Sequence, residues 1–282
     1  MNVKHLRKQL MAAIAMVVVA GVALSSATYA WFVSNNSVTA TTTQISAQSN
    51  AAYLLIEAGN KTTTGSTTSD TAVEEVGEGK LYEDNALYPA QWKNNFDASK
   101  TTTGDKIYQF ETAYAELKTE ATEKDNTRFA VGDPSAAVTA DYALLNTFYI
   151  GTGTYDGEFT NLKVSNMTVT AAADVSLKTA MRLLIMAYAP DSSGNYGTTP
   201  TSWVVAKYKD GTAATIESQS LTGEGMAGVV YAPQFGKSEG DVKIEIYAYY
   251  DGADTQVYTT NLEQLTLCGA TVTFDATPKE FK

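Results

Sequence analysis

One histidine and one cysteine are all that this chain of 282 residues contains. The histidine, His5, stands ahead of a long apolar run near the N-terminus, so a chain that lost its leader would have none. Without histidine the usual general base, the usual zinc ligand and the usual third member of a nucleophilic triad are missing together. The cysteine, Cys268, has no second thiol with which to form an intramolecular disulfide, and its setting "LTLCGATV" reads as a buried, inert thiol. Three motif absences extend the list: no G-x-S-x-G elbow, no P-loop and no H-E-x-x-H. Paired carboxylates such as Glu74 and Glu75 fall in polar stretches and read as solvated. The sequence therefore predicts no catalytic residue, no cofactor, no metal site and a non-enzymatic role.

What is present begins with an export signal. Lys4, Arg7 and Lys8 precede the apolar run "LMAAIAMVVVAGVAL", and small residues follow. That run is short for a spanning helix, which takes about 20 residues. Two cuts satisfy the small-x-small rule: Ser25 with Ala27, before Thr28, and Thr28 with Ala30, before Trp31. The alternative is an uncleaved membrane anchor that continues through "SSATYAWFV" and sets Tyr29 and Trp31 at the interface. An exported chain without disulfides points to a bacterial surface.

Basic charge is also scarce. Cleavage before Trp31 leaves 252 residues, with 17 Lys and Arg against 31 Asp and Glu, a balance of −14. Such a chain repels nucleic acid and anionic membrane surfaces, so neither is an expected partner, and the membrane is met only through the leader. The length suits one large all-β domain, here expected over 31–282, or two small ones.

Beyond residue 34 the chain is rich in Thr, Ser, Ala, Tyr and Val with frequent turn residues, the composition of an all-β protein. In "DVKIEIYAYY", Val242, Ile244, Ile246 and Ala248 alternate with Lys243, Glu245, Tyr247 and Tyr249, which predicts a strand with one core face and one wet face. "ATVTFDA" repeats the pattern as a closing strand, with Ala270, Val272 and Phe274 inward. In "TNLKVSNMTVTA", Leu162 and Val164 share one parity while Met167 and Val169 share the other, which predicts a bulge near Ser165 and Asn166. "RLLIMAYA" is apolar on both parities, fitting a strand covered on both faces or a short helix, and Asp174 is placed to cap a helical turn before it.

Residues 60–140 differ. They hold the Thr-rich stretches "KTTTGSTTSDT" and "SKTTTGDK" and one helix expectation, "IYQFETAYAELKTEATEKD", where Phe110, Tyr114, Leu117 and Ala121 recur at helical spacing. This region reads as a variable insertion with a short helix, because it has few apolar runs with which to build a core of its own.

At "GVALSSATYAWFVSNNSVTATTTQIS" the chain resembles the TasA and camelysin family of exported bacterial surface proteins. Thr28, Tyr29 and Ala30, followed by Trp31 and Phe32, match that family's leader, and scattered later strands resemble surface proteins with the same start. The resemblance implies cleavage between Ala30 and Trp31 by a dedicated signal peptidase. It also implies an antiparallel β-sandwich of jelly-roll type, and assembly into extracellular fibres at the cell surface or in a biofilm matrix. The expected partners are further copies of the chain or related surface subunits. Proteolysis described for camelysin-type members is not carried over, since no H-E-x-x-H motif is present.

In such fibres the freed N-terminal strand of one subunit completes the sheet of the next. This needs an extended segment with free main-chain groups and side chains that fill pockets on one face. Residues 31–47 contain no proline, and Trp31, Phe32, Val33, Val38 and Ile45 are the candidate anchors. The bland alternative is that this segment is the first strand of its own sheet. A different function class is a membrane-anchored adhesin or glycan-binding module. The acidic turns "YYDGADTQ" and "YAPDSSGNYG" lack EF-hand spacing and read as solvated turns. The 17 tyrosines read as ordinary strand residues rather than sugar platforms.

Overall fold

The computed structural model describes residues 37–41, 44–48, 54–59, 71–75, 87–95, 107–112, 130–154, 156–170, 175–209, 214–237, 239–257, 265 and 269–279. The chain is all-β and mostly antiparallel. One sheet has the order β13 (Val229–Tyr231), β9 (Glu158–Thr170), β16 (Gly269–Pro278), β1 (Ser37–Thr41), β2 (Gln44–Gln48) and β4 (Thr71–Glu75), with β14 (Phe235–Gly236) also paired to β9. A second sheet runs β12 (Thr215–Gln219), β11 (Ser202–Lys207), β10 (Met181–Tyr188), β15 (Val242–Tyr250), β8 (Leu144–Gly151) and β3 (Leu55–Ala58). A third, smaller sheet joins β5 (Ala90–Asn95), β6 (Ile107–Thr112) and β7 (Ala130–Gly132).

The first two sheets face each other across the main core. Alternation along β15 sends Val242, Ile244, Ile246 and Ala248 inward, where they meet Phe148 and Ile150 of β8 and Leu162, Met167, Val272 and Phe274 of the facing sheet. β10 is buried at every position, as its two-parity apolar sequence requires of a strand covered on both sides.

The expected bulge in β9 is present. The pairing of β16 with β9 slips between Thr273 and Phe274, opposite Asn166 and Val164, so Ser165 is the extra residue. Its hydroxyl donates to the Thr273 carbonyl at 3.1 Å. The extra residue reverses the parity of β9, which is why Leu162, Val164, Met167 and Val169 are all buried although their spacing is not uniform.

Two expectations are corrected. The second face of β15 is not wet: Tyr247 and Tyr249 are buried in a second core with Leu184, Met186, Trp203 and Val205 of the same sheet and Ala90, Phe110 and Ala137 of the layer above. The helix expected at residues 107–125 is not what residues 107–112 form. They are strand β6, paired with β5 so that Phe110 stands opposite Trp92, and Phe110 packs edge-on against Tyr249 at 5.1 Å. An aromatic sheet face needing cover outweighed a helical spacing whose later members, from Tyr114 onward, lie outside the described residues. The layer's described helix is α1 (Pro134–Thr139), begun by proline at its first turn and by the Asp133 carboxylate, which accepts from the Ala136 N–H at 2.8 Å.

A 3-10 turn at Val175–Ala180 leads into β10, in the place expected for a helical turn, while Asp174 and Cys268 lie outside the described residues.

Candidate functional site

Of the residues read as the leader cut and assembly strand, Ala30, Trp31, Phe32 and Val33 lie outside the described residues. Val38 and Ile45 fall on two neighbouring strands. β1 runs antiparallel to β16 over five positions, from Ser37 beside Asp275 to Thr41 beside Thr271, with Val38 opposite the fully buried Phe274. β2 runs antiparallel to β4, with Ile45 opposite Glu74. Among the described residues β1 and β2 pair at Ala40 with Ala47. Thr39 also stands beside Thr71 of β4 in parallel register, so β1 lies between β16 on one side and β2 and β4 on the other, while the other side of β16 is occupied by β9.

Sequence reading missed a charged cluster at the junction of the second sheet and the small layer. Arg182, on β10, is 2% exposed. Its Nε donates to Glu217 of β12 at 2.7 Å, one terminal nitrogen donates to the Thr179 carbonyl at 2.7 Å, and the other reaches Asp251 and Asp254, each at 3.2 Å. Lys207 adds a contact to Asp254 at 3.5 Å. Both aspartates are further tied to their own turn: Asp251 accepts from the Ala253 N–H and Asp254 from the Gln256 N–H. The turn reaches the small layer as well, since the Gly252 N–H donates to the Ala90 carbonyl at 3.1 Å.

Burial opposes the charge of Arg182, but the Glu217 hydrogen bond and the Asp251 charge outweigh it and its pKa is raised. Burial pushes the Asp251 carboxyl above its ordinary value of 3.8, with Arg182 acting against that rise. The expectation that "YYDGADTQ" is a solvated turn is thus corrected, because both carboxylates point inward to a buried guanidinium. The lone arginine in "MRLLIMAY" was the available signal: a buried cation in an apolar strand requires carboxylates. Around the cluster lies a cleft of about 470 Å³, with Trp92 and Tyr249 among its walls.

The other acidic turn behaves as expected. Asp191 is exposed, and its carboxylate accepts from the Ser193 and Asn195 N–H groups at 2.8 and 2.9 Å, the Asn195 bond first among the causes that hold its pKa below the usual range. This is an aspartate-stabilised turn.

Comparison with protein-family models, curated proteins and solved structures finds no match. The Arg182 cluster has every guanidinium nitrogen engaged within the chain, so its chemistry is that of a structural tie between β10, β12, the turn after β15 and the small layer. The β1 position is different in kind: the first described strand, held between β16 and the strands β2 and β4.

Proposed function

We propose that the chain is an exported, non-enzymatic surface protein whose freed N-terminal strand completes the sheet of a neighbouring copy, building a fibre at the bacterial surface or in a biofilm matrix. The observation that carries this reading is the pairing of β1 with β16 over five register positions, against one pair with β2 and one with β4 among the described residues. The pairing of β1 with β16 can be made within one chain or between two, because the main-chain hydrogen bonds and the apolar positions beside Phe274 and Val272 are the same in both cases.

The jelly-roll reading is supported by strand order. β1, β16, β9 and β13 lie side by side in one sheet, and β8, β15, β10 and β11 in the other, so that the first and last of these eight strands are neighbours. β4 to β7 fall between the first and second strands of that frame, which supports reading residues 60–140 as an insertion; β2 and β3 precede it. The leader, cut between Ala30 and Trp31, would free residues 31–36 ahead of β1.

The test is electron microscopy of the mature protein with and without residues 31–40. Filaments from the full mature chain and monomers from the truncation are expected. Filaments of normal length from the truncation would defeat the proposal.

A further inference from the structure

Tyr88 is 58% exposed, the one large apolar side chain so open among the described residues. Its ring centre nevertheless stands 5.4 Å from that of the half-buried Tyr142, with the two planes inclined at 44°. At this separation the ring edges are in contact. The pair joins the residues just ahead of β5 to those that follow α1, at the border of the small layer.

Both backbones are fixed. Pro89 restricts Tyr88 to an extended backbone, and the Tyr88 N–H donates to the Asp141 carbonyl at 2.9 Å. Asp141 has a φ of +61°, a left-handed conformation that aspartate tolerates, and the Tyr142 N–H donates to the Ala137 carbonyl at 2.9 Å. The turn after α1 thereby sets the Tyr142 ring beside that of Tyr88.

Oxidative coupling of two phenols requires rings in contact, one of them open to an oxidant, and a path to solvent for the protons released. The Tyr88 and Tyr142 pair meets these conditions. A second close pair, Tyr149 with Tyr196 at 5.3 Å, lacks the opening. Tyr149 is buried, the Tyr196 hydroxyl donates to the Asp241 carbonyl at 2.9 Å, and burial raises the Tyr196 pKa, which opposes loss of its proton.

We propose that Tyr88 and Tyr142 form a modification site, at which hydrogen peroxide and an external haem peroxidase join the two rings as an intrachain dityrosine. Each phenol gives up one electron and one proton, and the two radicals form a carbon–carbon bond between ring positions ortho to the hydroxyls. The hydrogens on the joined carbons then move to the oxygens, which restores both aromatic rings. Two hydrogen atoms leave the chain, and one peroxide is reduced to two waters. The bond closes a loop that holds β5, β6, β7 and α1, a covalent tie for a chain whose single cysteine cannot supply an intramolecular disulfide.

Treatment of the mature chain, from Trp31 to Lys282, with a haem peroxidase and hydrogen peroxide tests the site. Dityrosine fluorescence, an intact mass lower by two hydrogen atoms, and a cross-linked peptide pair joining Tyr88 to Tyr142 are expected. In a mixture of light and heavy-isotope-labelled chains, that pair should be wholly light or wholly heavy. Tyr88→Phe and Tyr142→Phe keep the ring and remove the phenol, so each should abolish the cross-link, whereas Tyr196→Phe should leave it in full. Absence of the Tyr88 and Tyr142 peptide pair, a pair of mixed label, or undiminished dityrosine in Tyr88→Phe would overturn the proposal. The bond is read within one chain, so none of these outcomes depends on whether the mature protein forms filaments.

Discussion

Arg182 and Asp251, 69 residues apart, form a buried ion pair at 3.2 Å, and through it the first residues of β10 hold the turn that ends β15. The same guanidinium serves Asp254 and the more exposed Glu217, so its loss would strand the two aspartates in a poorly hydrated place. Breaking a buried pair by removing one partner costs about 3–5 kcal/mol. Arg182→Met is therefore expected to lower the unfolding free energy by about that amount in urea titration. The double variant Arg182→Met with Asp251→Asn should recover part of it, since the two sites share one interaction. Strict additivity of the two changes would show that they do not act through one another.

The pH dependence of Asp251 has an unusual sign. Its folded pKa lies above the ordinary 3.8, chiefly through burial, so between those two values the folded state binds more protons than the unfolded state. Stability contributed by this group therefore falls as pH rises through that window. Relative to Asp251→Asn, the wild-type chain should be at its best in acid and lose ground as pH rises from about 3.8 towards neutrality. Thermal melts of both proteins across that range would check it. A wild-type advantage that grew with pH would mean that Arg182 outweighs burial at this carboxylate.

Ser165 carries the parity reversal of β9, and only one added residue separates a core-facing Met167 from a solvent-facing one. Deleting Ser165 moves either Met167 and Val169 or Leu162 and Val164 to the wrong face. Exposing two such side chains costs about 3–6 kcal/mol at roughly 1.5–3 kcal/mol each, comparable with the whole stability of many domains. The deletion should give no cooperative unfolding transition in circular dichroism. Ser165→Ala, which removes only the hydrogen bond to Thr273, should retain it at a loss of about 1 kcal/mol.

How far the sequence could be read depended on the range of the interactions involved. The strands β15 and β16 and the bulge at Ser165 were legible because period-2 alternation, and its interruption, are local properties, whereas β10, apolar on both parities, left strand and short helix open. The second core was not, because Tyr247 and Tyr249 are amphipathic and only the arrival of Phe110 and Ala90 decides that their face is dry. The same long-range event turned residues 107–112 into a strand against the helical spacing of Phe110, Tyr114 and Leu117. The Arg182 cluster was hidden for a related reason, since its charged partners come from two other segments, β12 and the turn after β15, and converge only after the sheet has formed.

The question of which chain supplies β1 can be decided by covalent chemistry. Thr39 and Thr273 are direct partners in the β1 and β16 register, and Thr273 is half-buried on the parity opposite to the fully buried Phe274. Antiparallel partners have Cα atoms about 4.5–5.5 Å apart, within the span a disulfide requires. In a background with Cys268→Ser, the pair Thr39→Cys with Thr273→Cys would be oxidised within assembled material and run on a denaturing gel without reductant. If β1 completes its own sheet, the bond closes within one chain and only monomer is seen. If β1 completes its neighbour's sheet, each chain is joined to the next and the gel shows a ladder that collapses to monomer on reduction. The fibre reading predicts the ladder. It also predicts that chains carrying only Thr39→Cys, mixed with chains carrying only Thr273→Cys, stop at dimers, because each donor then has a single acceptor and the covalent chain cannot continue.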